Sequence, residues 1–492
     1  MTSNASVTKL LPRKYQEEIF TQVQQGNIVA ALETGSGKTF ISTLLIEWIA
    51  AKNNDGCKMM FFVPKLPLVE QQGDFISQHS SVRVLKLHGS SNIDISDRNG
   101  HALPYPCDHN SLNTASLLRF MRPAVSGAEI QDRADVVTDF ECPSIVVLAF
   151  NEADHYKNVD YDPTTGSSIN GSFWTDSNTM ETLHLLMLQT GRSDFDGLAD
   201  NSFLGRNALV PSTNWETFTG PFFDDAGWAV LALWTMADYK ATHHQPNVDD
   251  FFAAAATVYD LIASSWDDTC GGGVWWTVDH TYKNAITNEL FLTLSAQGYL
   301  RFKNETYLEN ARKVWAWIEG SGMRNDQGLY NDGLVLGTCV NNGETTWTYN
   351  QGVILSGLGA LYAATGNETL ISEAVITIDA TIRNLTVNGI LKESCDDVVL
   401  EGIPCDSDQG IWLKHLQYFL TFVHPNHPEL AAKYNSFIGS QSEAVLRLAT
   451  DSQLDIGSVW YGADAGGSIF SVQSLASGIM AHVTNAQYGP CL

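Results

Sequence analysis

From residue 151 to the end, long helical segments alternate with loops rich in Gly, Asn, Asp and Thr. A recurring unit is visible: an apolar helix, a short turn, a polar start and a second apolar helix. Residues 294–322 (LSAQGYLRFKNETYLENARKVWAWIEGSG) are one copy and residues 355–386 (LSGLGALYAATGNETLISEAVITIDATIRNLT) another, with their NET turns 63 residues apart. Residues 231–266 make a third copy with a longer connection, and 183–200 and 411–449 fit the same outline. A repeat of two antiparallel helices cannot bury both faces alone, so five or six copies predict a closed ring of helical hairpins, an (α/α)6 barrel. Its inner helices should be apolar all round, as residues 228–237 are. The loops at one end should carry the chemistry.

The first hundred residues read differently. Residues 28–32 (IVAAL) predict a buried strand, followed by ETGSGKT (33–39) and an apolar helical segment. That is the setting of a phosphate-binding loop: Thr34, Gly35, Ser36 and Gly37 offer backbone N–H groups, Lys38 adds charge and Thr39 can ligate Mg²⁺. Leu32 stands where the strict motif has glycine. A second apolar strand is expected in 59–72, a helix in 117–134 and a short strand in 142–150.

Composition separates the same two regions. Residues 1–100 hold 10 basic and 9 acidic residues, whereas the remainder holds 18 and 46, within a chain of 492 residues and net charge −27. Such an acidic chain is a poor nucleic-acid binder. Of 13 tryptophans only Trp48 lies in the first hundred. Cys395 and Cys405 bracket a short loop as a disulfide would, and sequons at Asn170, Asn304, Asn367 and Asn384 suit an exported protein. The start of the chain lacks the apolar core of a secretory signal, and no run is long enough for a membrane span.

The candidate chemistry centres on FFDDAGW (222–228). Asp224 and Asp225 are adjacent at the start of an apolar helix, where an acidic first turn also favours the helix dipole. Two close carboxyls resist joint ionisation, which suits a glycosidase needing one acid and one carboxylate. Four loops add sugar-type surfaces: CGGGVWW (270–276), KNAITNE (283–289), LYNDGL (329–334) and TTWTYNQG (345–352). Their aromatic faces can stack on sugar rings, and their amides and carboxylates can bind hydroxyls. The histidines suggest no metal cluster: His243 and His244 share a polar loop and His280 stands alone.

Two resemblances sharpen these expectations. RKYQEEIF (13–20, with Gln16 in the adenine-reading place), LETGSGKT and FFVPKLPLVEQQ resemble the start of the superfamily 2 helicase module of fungal Dicer-like proteins. That implies a partial α/β RecA-like fragment over 1–100 with ATP and Mg²⁺ as its ligands. The acidic box is missing, its nearest counterpart being FNEADH (150–155) with Asn151 in the metal-binding place, and no second lobe follows. The expectation is a relic without ATPase activity.

Residues 151–492 resemble glycoside hydrolase family 76, the endo-1,6-α-mannanases, through SFWTDSNTMETL, FFDDAGWAVLALW, CGGGVWW…YKNAITNELFL and NDGL…TTWTYNQGVILSGL. The resemblance implies a mainly α, (α/α)6 barrel and retaining cleavage of α-1,6-linked mannose chains, with Asp224 as nucleophile and Asp225 as general acid/base. It implies glycan contacts from Trp174, Asn178, Trp228, Trp275, Trp276, Asn288, Asp332, Trp347, Tyr349, Asn350 and Gln351, and no cofactor or metal. The expected partner is α-1,6-mannan or a mannoprotein glycan, met by a monomer outside the cell or in its wall. Residues 101–150 are left as a junction. Rival readings are a nucleotide-binding helicase derivative and a non-catalytic mannan-binding barrel; transglycosylation is a variant of the main one.

Overall fold

A computed structural model describes residues 143–399 and 408–490. The expected phosphate loop (Thr34 to Thr39), Gln16, the helix in 117–134 and Cys405 lie outside the described residues. The chain divides into units 1–134 and 135–492, and all the described residues lie in the second.

Six long helices form the inner ring: α2 (Phe173–Thr190), α6 (Phe223–Thr242), α8 (Ala285–Phe302), α10 (Thr348–Thr365), α12 (Asp408–Val423) and α14 (Val472–Tyr488). Each packs on the next, and α14 packs back on α2, which closes the ring. Outside lie α1 (Pro143–His155), α7 (Val248–Ser264), α9 (Glu305–Gly320), α11 (Thr369–Asn384) and α13 (Pro428–Ala444). The remaining outer position holds three short helices, α3 (Leu198–Asn201), α4 (Phe203–Ala208) and α5 (Trp215–Thr219). This is the expected (α/α)6 barrel. The inner helices are parallel to one another because an antiparallel outer helix separates each from the next. All six therefore begin at one end, where the outer-to-inner connections gather.

Those connections carry three antiparallel hairpins: β1–β2 (Tyr161–Asp162 with Ser167–Ser168), β3–β4 (Leu334–Val335 with Val340–Asn341) and β5–β6 (Thr386–Val387 with Ile390–Leu391). No helix of the described residues is long and apolar enough to cross a membrane.

The inner helices approach closely where they carry glycine. A Cβ on Gly352 would lie 2.6 Å from the Trp412 Cα, and one on Gly410 2.5 Å from the Ser477 Cα. Real Cβ atoms do not pack that tightly, so both positions exclude larger residues.

The inner ring also buries charge. The Lys414 ammonium donates to Glu181 at 2.5 Å and to Asn178 at 2.6 Å, and the Tyr418 hydroxyl donates to Glu181 at 2.6 Å. Both members of the ion pair are essentially inaccessible, and the Tyr418 and Asn178 contacts help to satisfy them, as a buried pair requires.

Two expectations change. Of residues 142–150, expected as a strand, the described ones, 143–150, belong to helix α1. A short apolar run does not distinguish the two by periodicity, and Pro143 at the helix start fits the first turn, where its missing N–H costs nothing. FNEADH is consequently the last turns of an outer barrel helix rather than a remnant of a helicase box. Residues 143–150, expected as part of a junction, pack with the barrel through the contact of α1 with α14.

Candidate active site

Asp224 and Asp225 lie in the first turn of α6, whose N-cap is Phe222. The segment before this helix is laced to the next connection by backbone bonds. Phe222 bridges to Thr277, the Phe223 N–H donates to the Trp276 carbonyl at 2.8 Å, and Val278 N–H to Pro221 at 3.0 Å. The next connection continues the lacing: Asn284 bridges to Gly333, and Ala285 N–H donates to the Asp332 carbonyl at 2.8 Å. Three successive connections, carrying Asp224, Trp276 and Asp332, are thereby held side by side.

The loop 270–276 is built around Lys283. Its buried ammonium donates to the carbonyls of Thr269 at 2.7 Å, Gly272 at 2.6 Å and Gly273 at 3.0 Å, and to the Asp267 carboxylate at 2.7 Å. Gly272 (φ 140°) and Gly273 (φ 91°) are in backbone regions that favour glycine, and a Cβ on either would strike the Trp317 ring. A disulfide from Cys270 to Cys339 ties this loop to the β3–β4 hairpin that follows Asp332. Cys395 is also disulfide-bonded.

The two aspartates sit in different environments. Asp224 is half-buried; its Oδ2 accepts from the Trp276 indole N–H at 2.9 Å and its Oδ1 from the Asp225 amide at 3.0 Å. Burial pushes its carboxyl up to about 6, against these donors, which favour the ionised form. Burial, and then the negative charge of Asp224, pushes Asp225 up to about 8. The pair titrates as a unit, with Asp224 the first to ionise.

Asp332 accepts from the Tyr282 hydroxyl at 2.6 Å, and Asn342 donates to that same hydroxyl at 2.8 Å. Burial raises the Asp332 carboxyl despite this bond and one from Trp347. Trp347 and Tyr349 stack nearly parallel, with centroids 6.3 Å apart and planes 8° apart. Both are half-buried, as are Trp174 and Trp276. The start of α10 is anchored by Glu393, whose carboxylate accepts from the Thr348 N–H at 2.7 Å and hydroxyl at 2.6 Å.

Several residues expected to touch a glycan are instead inside the barrel. The blocks 285–289 and 348–352 are the first turns of α8 and α10, not loops, and all of their residues except Tyr349 are buried. Asn288 spends its amide on the Val274 N–H and carbonyl and on the Asn284 carbonyl. Gln351 likewise brackets Tyr330 through its N–H and carbonyl, and also reaches the Trp347 carbonyl. Asn178 is engaged by Lys414. Trp228 packs against His415, and Trp275 stacks on His280 with centroids 4.9 Å apart. Asn288, Gln351, Asn178, Trp228 and Trp275 therefore shape the site from beneath. Asn350 is also fully buried, but neither its Oδ1 nor its Nδ2 has a partner among the described residues.

Tyr282, Lys283, Glu289 and Glu393 were not singled out from the sequence. Tyr282, Lys283 and Glu289 fall in or beside the quoted YKNAITNE block, but nothing local distinguishes an inward Lys from a surface one. Glu289 is fully buried on α8 with no hydrogen-bond partner for either oxygen among the described residues, and burial, reinforced by Asp332, raises it well above the ordinary carboxylate range.

The profile of glycosyl hydrolase family 76 matches residues 145–488. The chain belongs to glycosyl hydrolase family 76. A mannan endo-1,6-alpha-mannosidase of Eremothecium gossypii is 24% identical over 296 residues, 58% of this chain and 65% of its own length. A putative mannan endo-1,6-alpha-mannosidase of Schizosaccharomyces pombe is 28% identical over 310 residues, 60% of this chain and 67% of its own. The chain thus spans about two thirds of these curated relatives. Among solved structures, an inactive variant of a family 76 alpha-1,6-mannanase from Salegentibacter sp. HEL1_6, with two adjacent aspartates replaced by asparagine and alpha-1,6-mannotriose bound, superposes with a TM-score of 0.60 at 19% identity. That match covers 70% of this chain and 99% of the other. A separate profile, type III restriction enzyme res subunit, matches residues 9–110.

Proposed function

We propose that the barrel is an endo-acting glycosidase that cleaves α-1,6-mannosidic linkages of mannan with retention of configuration. The observation that carries this reading is the unequal pair at the start of α6. Between about pH 6 and 8 Asp224 is ionised and Asp225 is protonated, which is the division of labour a retaining glycosidase uses. Asp225 gives its proton to the glycosidic oxygen as the bond to the leaving sugar breaks. The Asp224 carboxylate attacks the anomeric carbon and forms a glycosyl ester. Asp225, now a base, takes a proton from water, or from a sugar hydroxyl if the chain is transferred rather than hydrolysed, as that oxygen bonds to the anomeric carbon and the ester breaks to release the Asp224 carboxylate. The mannanase inactivated at two adjacent aspartates supports the assignment. Trp174, Trp276, Trp347, Tyr349 and Asp332 supply stacking and hydroxyl contacts.

The chemistry needs no cofactor. The Cys270–Cys339 disulfide favours an oxidising compartment. Replacement of Asp224 or Asp225 by asparagine should abolish release of reducing ends from α-1,6-mannan; full activity in either variant would sink the reading. Mannan binding without cleavage by the unaltered protein would support a lectin-like barrel instead.

The match over residues 9–110 favours a second, separate reading of that region as a nucleotide-binding fragment of helicase origin. ATP binding lost on Lys38→Ala would support it, and equal binding by that variant and the parent would remove it.

A further inference from the structure

The chemistry at the mouth of α6 uses no group on the seam where the first hairpin meets the last. Helix α1 packs on α14 there. At its C-terminal end the backbone widens into a π-turn, Tyr156–Asp160, in which the Tyr161 N–H bonds back to the Tyr156 carbonyl. In an α-helix residues five apart diverge around the axis. In a π-turn they draw towards one face, and such widened turns gather at functional sites. His155 and Asp160 are five apart.

A third group comes from the far end of the chain. A second π-turn, Val445–Ala449, ends α13 and leads into a tight loop closed by a bridge between Thr450 and Ile456. The Asp451 carboxylate accepts from the Asp455 N–H at 3.0 Å and fixes that loop. Asp455 then meets His155, with Nε2 and Oδ1 2.8 Å apart.

One donor atom from each of His155, Asp160 and Asp455 lies within 4.8 Å of the others. The His155 and Asp455 side chains are 15% and 41% exposed, so the cluster is sheltered but open to water ligands. We propose that these three side chains form a divalent-cation site of zinc type that clasps the first hairpin of the barrel to the last.

The donor set selects the metal. One imidazole nitrogen and two carboxylate oxygens suit zinc better than the all-oxygen cations calcium and magnesium. Zinc holds such ligands at about 2.1 Å, which puts tetrahedral neighbours about 3.4 Å apart. The His155–Asp455 contact therefore opens slightly and the wider separations contract on binding, while water completes the shell. Without a cation the same geometry is an ion pair beside a second carboxyl. The two descriptions differ at Asp160: an ion pair between His155 and Asp455 does not need it, whereas a metal does.

The test is calorimetric titration of the full-length protein, stripped with EDTA, with zinc chloride. One saturable site is expected, with an upward shift of Tm. Asp160→Asn leaves the His155–Asp455 pair in place and should lose both the heat and the shift. Asp455→Asn should also lose them, with near-UV circular dichroism reporting whether its packing survives. No saturable zinc site in the parent protein, or equal zinc binding by parent and Asp160→Asn, overturns the proposal. Saturable binding of calcium or magnesium in preference to zinc overturns the zinc assignment.

Discussion

The indole N–H of Trp276 donates to the Asp224 carboxylate at 2.9 Å, while the backbone carbonyl of the same tryptophan accepts from Phe223 at 2.8 Å. One residue thus fixes both the charge and the position of the proposed nucleophile. Trp276 was expected to be a sugar platform, but its bond to Asp224 makes it a positioning residue as well. Trp276→Phe keeps an aromatic face and removes the donor. Hydrogen bonds to charged groups contribute about 1.5–3 kcal/mol, so kcat/KM should fall roughly 10- to 100-fold. Loss of the donor also disfavours the carboxylate, so the acid limb of the pH profile should move to higher pH. An unmoved acid limb would show that the bond does not tune Asp224.

The pair predicts a bell-shaped profile of kcat/KM against pH. Activity should rise as Asp224 ionises near pH 6 and fall as Asp225 deprotonates near pH 8. The limbs belong to the pair, so in the inactive Asp224→Asn variant the Asp225 carboxyl, followed by NMR, should titrate at lower pH than in the parent. Removing the Asp224 charge removes one of the two causes that hold Asp225 up. A profile flat from pH 5 to 9 would contradict the assignment.

The same shifts set a stability trend. The Asp225 carboxyl is raised in the folded chain above its ordinary value of about 3.9. Its contribution to stability is therefore fully present below about pH 4 and is lost as pH rises through about 8. Asparagine does not titrate. Asp225→Asn should then be inactive yet have a higher Tm than the parent at pH 8, with the gap closing towards pH 4. Parallel Tm curves for the two proteins across that window would refute the linkage.

The Cys270–Cys339 disulfide joins the loop of Trp276 to the hairpin after Asp332, across a sequence separation of 69. Removing such a bond costs about 2–5 kcal/mol in small secreted domains, and a barrel with its own large core should lose less of its fold than of its site. Cys270→Ser with Cys339→Ser should raise KM for mannan more than it lowers Tm. Unchanged KM would mean that Lys283 and the backbone lacing hold the two loops without it.

The sequence carried the architecture because the helical repeat is local: apolar runs such as 228–237 and the two NET turns announce hairpins without reference to the rest of the chain. It carried the aspartate pair for the same reason. It did not show which way a first-turn side chain points, so Asn288 and Gln351 read as sugar ligands while their amides in fact bracket backbone inside the barrel. Nor could it show partners distant along the chain. Glu393 reaches Thr348 because neighbouring connections pack side by side, and His155 meets Asp455 across 300 residues because the ring closes.

A long-range ion pair inside the ring offers the sharpest stability test. Lys414 on α12 and Glu181 on α2 are buried partners separated by 233 residues. Burial lowers the lysine's pKa against the pull of Glu181, so the ammonium depends on its partner to stay charged. Lys414→Met strands the Glu181 carboxylate and the Asn178 Oδ1 in the core, and a single lost partner of a buried pair costs about 3–5 kcal/mol. Glu181→Leu should cost a similar amount by stranding the ammonium. The double variant leaves neither charge and should recover most of the loss, because two apolar side chains of similar volume need no desolvated partner. Denaturant unfolding of the four proteins measures the coupling. Additive losses in the double variant would mean that the two side chains contribute through packing rather than through their charges.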